Sequence, residues 1–120
     1  MDEAAQLLAE DAVFRSPVLF KPYEGREQVV KVLSAAERVL GGDGAFRYVH
    51  QLEDLEDRVA VLEFATVVDG REVEGVDILS FDGGGMITEF KVMIRPASAL
   101  QLVGAKMAEE FAKVGLGLPG

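Results

Sequence analysis

The chain has 120 residues, 49% of them hydrophobic, and a formal net charge of −9 from 21 acidic and 12 basic side chains. This length fits one domain, residues 1–120, with a proper core, and the lack of cysteine excludes disulfides, thiolate nucleophiles and cysteine-ligated metals. The acidic charge argues against nucleic acid and membranes as partners, and with no signal peptide or apolar run of membrane-spanning length we expect a cytoplasmic protein.

The first third of the chain predicts two helices around a short extended segment. Asp2 to Glu10 is rich in alanine and leucine behind early acids, which favours a short helix. Ala12 to Ser16 has the pattern of a short strand closed by a proline, and a loop through Lys21 to Gly25 follows. From Arg26 to Leu40, apolar residues recur at helical spacing, and a glycine pair ends this second helix.

The rest of the chain predicts an antiparallel meander and a C-terminal helix. Short connections with turn chemistry, Asp69-Gly70 most clearly, join four strand-like runs. Ala97 to Val114 carries one apolar stripe and predicts a helix, whereas residues 116–120 predict a loose tail. An α+β fold with helices packed on one face of a curved sheet follows. The four predicted strands are Ala45 to Leu52, Arg58 to Val68, Glu72 to Phe81 and Met86 to Ile94.

One acid, Asp77, lies in an otherwise apolar strand between Val76 and Ile78. Such an acid must face water or an apolar cavity, where its neutral form is favoured and can donate a hydrogen bond. Strand alternation places Asp77 on the same face as Val73 and Leu79. The sequence therefore predicts a ligand site or, alternatively, a packed core in which a backbone group binds the carboxyl.

Three stretches, Leu8 to Pro17, Tyr23 to Val29 and Gly75 to Glu89, resemble the nuclear transport factor 2-like (NTF2-like) superfamily. Its SnoaL-like and ketosteroid-isomerase-like members are the most similar. The resemblance implies a cone-shaped α+β fold whose curved antiparallel sheet has four main strands and a short first strand. It also implies that the first helix of the usual fold is absent, that a C-terminal helix is added, and that the protein is a homodimer through the outer face of its sheet.

The resemblance also bears on chemistry. Asp77 aligns with an aspartate that ketosteroid isomerases keep protonated as a hydrogen-bond donor. The general base of those enzymes aligns with Ser16, which cannot take a proton without an adjacent base. The catalytic aspartate of SnoaL-type cyclases aligns with Val92, and the oxyanion-hole tyrosine of the isomerases has no counterpart. Each known catalytic set is therefore incomplete.

The predicted site is an apolar pocket with one polar group, Asp77, which is the candidate catalytic residue. Our leading hypothesis is a small-molecule-binding domain that holds an apolar ligand without a complete catalytic set. The alternatives are an isomerase or SnoaL-like cyclase that uses Asp77 as donor or acid, and a structural dimerisation module with a filled pocket. We expect no cofactor and no metal. The candidate ligand-binding residues are Phe14, Ser16, Leu79, Phe90, Val92 and Ile94.

Three other polar side chains have functional interpretations. Glu63 could point inward in a different strand register and act as a base beside Asp77. His50 is the only histidine, and a structural role is favoured for it. Arg15 could bind a ligand carboxylate, but pairing with a local acid such as Asp11 is favoured.

Overall fold

The computed structural model describes residues 6–117. Within that range six strands form one sheet, and two long helices pack against it. The order of the strands across the sheet is β2-β1-β6-β5-β4-β3. The strands are β1 (Leu8–Arg15), β2 (Tyr23–Glu24), β3 (Arg47–Asp54), β4 (Val59–Val68), β5 (Arg71–Phe81) and β6 (Ile87–Arg95), and the helices are α1 (Arg26–Gly41) and α2 (Ala97–Lys113).

The sheet is mixed, which corrects the prediction of a purely antiparallel sheet. Strands β3 to β6 form the predicted antiparallel meander. However, β1 pairs with β6 in parallel, with Phe14 opposite Phe90. The predicted loop at Lys21 to Gly25 contains β2, which pairs antiparallel with β1 and sets Tyr23 opposite Phe14. Short turns reveal hairpin partners, but no local turn links β1 to β6, which are distant in the chain.

The predicted helix at Asp2 to Glu10 is wrong from Leu8 onward, where β1 begins. Gln6 and Leu7 are helical, and residues 1–5 lie outside the described part. Leu8 is fully buried and pairs with Ile87 of β6. Tertiary burial therefore overrides local helix propensity here. The four later strands and both long helices begin and end within about two residues of their predicted bounds.

Polar contacts join the two helices to each other and to the sheet. The guanidinium of Arg38 on α1 donates to the carboxylate of Glu110 on α2 at 2.6 Å. The hydroxyl of Thr66 on β4 donates to the carbonyl of Leu40 at 2.7 Å. Neither α1 nor α2 has the length and apolar sequence that a membrane-spanning helix needs.

The apolar sides of the two helices contribute to the core. They bury Val29, Val32, Leu33 and Ala35 from α1 and Ala99 and Val103 from α2.

A row of aromatic rings lies on the helix side of the sheet. Phe64 on β4 is 1% exposed, and its ring lies over Gly75 on β5. An ideal Cβ on Gly75 would stand 2.3 Å from Phe64 Cζ. Phe64 stacks on Phe46 with centroids 5.2 Å apart, and Phe46 meets Tyr48 edge to face at 5.1 Å. The missing side chain at Gly75 therefore leaves the space in which the row packs.

The close approach at Gly75 predicts a large effect of a single methyl group. Gly75→Ala should lower the free energy of unfolding by about 1–3 kcal/mol, because the methyl overlaps the Phe64 ring and overpacks the core. Urea unfolding measures this. The matched control is Gly83→Ala, whose Cβ would have its nearest heavy atom, a nitrogen of Arg58, at 4.0 Å. Equal stability of the two variants would show that Phe64 does not need this space.

Candidate functional site

A cavity of about 600 Å³ lies between the inner face of the sheet and the two helices. Its volume falls in the range of small-molecule sites, about 300–1,000 Å³. Residues 16–19, which follow β1, close one side of it. Most of its wall is aliphatic or aromatic, and the helices and the segment before β3 contribute Val32, Leu33, Phe46, Val103, Met107 and Phe111.

The cavity brings together all but one of the residues predicted for the site. Leu79 is the exception: it is 8% exposed and belongs to the packed core, where it pairs with Phe90 across β5 and β6. The prediction of its face is right, but its side chain does not line the cavity. The predicted residues that do line it are Asp77, Phe14, Ser16, Phe90, Val92 and Ile94.

The carboxyl of Asp77 is buried and has no partner among residues 6–117. Asp77 is 9% exposed, and its neighbours across the sheet are Leu62 and Val92. No described group donates a hydrogen bond to its carboxyl. In the described chain, every side-chain oxygen that is fully enclosed has a hydrogen-bond partner. The Asp77 oxygens have none, so they are not fully enclosed, and they open on the cavity that Asp77 lines. The alternative of a core acid bound to a backbone group is therefore not what the structure contains.

The protonation of Asp77 follows from this burial. Loss of hydration disfavours the charged form and raises the pKa of Asp77 to about 7. Near neutral pH both forms are therefore populated. The protonated carboxyl can donate a hydrogen bond into the cavity, and the ionised one can only accept.

Tyr48 is a polar residue of the cavity that the sequence analysis did not select. Its ring lines the same cavity as Asp77. Burial raises the pKa of Tyr48, and the negative charge of Asp77 raises it further. The phenol therefore stays protonated near neutral pH and remains a hydrogen-bond donor.

A β-bulge explains why Tyr48 faces the cavity while His50 does not. Residues two apart normally share a face of a strand. Here the register shifts between Tyr48, opposite Phe64, and His50, opposite Glu63, so that Val49 is the extra residue. The sequence does carry one signal for Tyr48, the two-residue spacing from another aromatic residue at position 46.

Glu63 lies on the outer face of the sheet, so its predicted role as a base beside Asp77 is wrong. Its side chain is 45% exposed, and Oε1 lies 2.6 Å from Nδ1 of His50. The actual register sets Leu62, and not Glu63, opposite Asp77. The outer face also carries exposed apolar side chains, among them Leu52. Dimerisation through this face stays a prediction.

Two side chains at the rim have different roles. The hydroxyl of Ser16 accepts hydrogen bonds from the amides of Val18 at 2.9 Å and Leu19 at 3.4 Å, which shapes the loop after β1. Glu37 on α1 is exposed and supplies the second carboxyl of the cavity wall. Within residues 6–117, no three histidine or acidic side chains gather as a metal site.

The predicted pairing of Arg15 with Asp11 is wrong. The Arg15 guanidinium donates to the carboxylate of Glu89 at 2.8 Å. The partner belongs to β6, which the parallel pairing brings beside β1. The correction therefore has the same cause as the mixed sheet, a long-range strand pair that local patterns do not reveal.

Comparison with known proteins identifies the family. The model of the SnoaL-like domain matches residues 1–90 of this chain. The structure of a steroid delta-isomerase from Pseudomonas aeruginosa is 40% identical, with a TM-score of 0.86, and the alignment covers 93% of this chain and 80% of that one. A comparison with curated proteins finds no match.

Two further solved structures share the fold. An uncharacterized protein with a cystatin-like fold from Silicibacter pomeroyi DSS-3 is 29% identical with a TM-score of 0.81, and the alignment covers 93% of this chain and 80% of that one. An NTF-2 like protein of unknown function from Burkholderia xenovorans LB400 is 17% identical with a TM-score of 0.63, covering 83% and 77%. The chain therefore belongs to the SnoaL-like domain family and has the NTF2-like, ketosteroid-isomerase-like fold.

Proposed function

We propose that this protein binds small apolar molecules that carry one hydrogen-bonding group, with that group held at Asp77. The observation that carries the proposal is a buried carboxyl without a partner that opens on an apolar cavity of about 600 Å³. A buried polar group without a partner is costly, and a ligand that pairs with it removes that cost. The apolar walls supply most of the contact area, as in other small-molecule sites.

A neutral carbonyl group suits the protonated form of Asp77. The carboxylic acid donates to the carbonyl oxygen, and Tyr48 offers a second donor on the same cavity. The aromatic row behind Tyr48 restricts its ring. We therefore take hydrophobic ketones as the first ligand class to test.

If Asp77 holds the ketone group, its substitution by alanine should weaken ketone binding. Androstanone should raise the melting temperature of the protein, because a ligand that binds only the folded state stabilises it. Asp77→Ala should weaken binding by about tenfold through loss of the hydrogen bond, whereas Asp77→Asn keeps a donor and should retain it. Asp11→Ala, at an exposed acid outside the cavity, is the control. Undiminished affinity in Asp77→Ala would contradict the proposal.

The raised pKa of Asp77 also links stability to pH. An unfolded aspartate has a pKa of about 3.9, whereas the folded value is about 7. Between these values the folded state binds a proton that the unfolded state has lost, so stability falls as pH rises through this window. Above it, the ionised carboxylate destabilises the fold by up to about 4 kcal/mol, at about 1.4 kcal/mol per pKa unit.

Asp77→Asn removes this ionisation and should change the pH dependence of stability. Relative to wild type, the variant should gain about 2.5 kcal/mol of free energy of unfolding between about pH 5 and about pH 8, because part of the effect of about 4 kcal/mol is already present at about pH 5. Urea unfolding at several pH values measures the difference. Asp11→Asn, which makes the same substitution at an exposed acid outside the cavity, is the matched control. A constant difference for Asp77→Asn would mean that the carboxyl is hydrated in the folded protein.

The steroid delta-isomerase of 40% identity supports a second candidate, proton transfer in a bound ketone. Such a reaction needs a base within reach of the substrate. Ser16 cannot serve alone, and Glu63 lies on the opposite face. Within the described chain, Glu37 is the other carboxyl that lines the cavity. In this scheme Asp77 donates to the carbonyl oxygen and Glu37 takes the proton from carbon.

The enzyme candidate predicts hydrogen exchange on carbon. An enolisable steroid ketone incubated with the protein in heavy water should take up deuterium, measured by mass spectrometry. Glu37→Gln should slow this uptake by at least about a hundredfold, since general bases contribute about that much or more. The control is Glu27→Gln, at an exposed acid in the first turn of α1. Uptake no faster than in buffer would leave binding as the function.

A further inference from the structure

We infer that the cavity also accepts hydrophobic amines, whose ammonium group pairs with the Asp77 carboxylate. This inference rests on the proposed binding function and extends it to a cationic class of ligand. Across the described residues, the charged side chains of its wall are Asp77 and Glu37, both acids, and the wall contains no lysine, arginine or histidine.

Asp77 lacks the counter-charge that buried acids usually have. Its carboxyl has no ion pair or hydrogen bond within residues 6–117. An ammonium group placed in the cavity supplies both a positive charge and N–H donors in a poorly hydrated place, where charges interact more strongly than in water. The apolar part of the ligand then occupies the remainder of the cavity.

The aromatic wall favours the same ligand. Phe14 and Phe90 stack at 5.7 Å, and both line the cavity together with Phe46 and Tyr48. Cations are attracted to the faces of aromatic rings. The overall charge of −9 also attracts cations toward the protein and repels anions.

The groups around Asp77 determine how ligand affinity depends on pH. Tyr48 on β3 and Tyr23 on β2 face the cavity, and burial raises the pKa of both, so they stay neutral near pH 7. Glu37 faces it from α1. Strands β4 and β6 set Leu62 and Val92 beside Asp77, and α2 adds no charged side chain to the wall.

Amines and ketones should therefore respond to pH in opposite directions. An ammonium ligand needs the ionised carboxylate, so its affinity should rise with pH. A ketone needs the protonated acid, so its affinity should fall. With a pKa of about 7 for Asp77, each change should approach about tenfold between about pH 6 and about pH 8.

Three adamantane derivatives of nearly equal size, here called cages, test the inference because they differ only in the polar group. They are aminoadamantane, adamantanone and adamantanecarboxylate. Each is titrated into the protein at about pH 6 and about pH 8, with affinity measured from NMR chemical shifts. The amine should bind more tightly at the higher pH and the ketone at the lower, and the carboxylate should bind least. These slopes are measured on the natural sequence, so the test does not depend on the folding of any variant.

The variant Asp77→Asn then locates the interaction. It should keep adamantanone binding, lose its pH slope, and bind aminoadamantane about tenfold more weakly. Asp11→Asn, the matched exposed control, should bind all three cages as the natural sequence does.

Each other outcome is decisive. If the ketone binds and the amine does not, the inference fails and the proposed function stands. If the amine binds Asp77→Asn equally well, its site is elsewhere and the inference fails. If no cage and no larger ketone binds, both fail.

Discussion

Burial of the Asp77 carboxyl without a partner is the constraint on which the cavity depends. A closed apolar core at this point would leave the acid without a hydrogen bond at any pH, which is costly. Open water would leave it an ordinary surface acid. The structure lies between these limits, since the helices leave a space beside β5, while α1 buries Val29 and α2 buries Ala99 away from the cavity. The buried carboxyl is therefore tolerated because a cavity adjoins it, and the cavity supplies the place where the carboxyl can find a hydrogen-bond partner.

The side chains around that space are held by the sheet more than by loops. Phe64 rests on Gly75, stacks on Phe46, and so supports the ring of Tyr48. Groups carried on strands and locked by packing are positioned more accurately than groups on loops. Residues 16–19 and Phe46, which precedes β3, line the cavity from connecting segments, and Ser16 stabilises the turn of the first segment through two backbone amides.

Local patterns predicted much of this architecture. Alternation in β5 placed Asp77 on the inner face, and Asp69-Gly70 forms the expected hairpin turn, with φ angles of 50° and 76°. What could not be predicted depends on distant partners. The parallel pairing of β1 with β6 redirected Arg15, and the register of β4 against β5 turned Glu63 outward. A single extra residue, Val49, brought Tyr48 into the site.

The ion pair between Arg38 and Glu110 lies where it can control access to the cavity, and so bears on the proposed binding. Glu37 and Phe111, the sequence neighbours of this pair, both line the cavity, so the pair joins α1 and α2 beside its wall. Arg38 is half exposed, and dissolved ions weaken such pairs. For the ligand binding proposed above, higher ionic strength is therefore expected to loosen the contact between the two helices and shorten the residence time of a ligand, even when that ligand is uncharged.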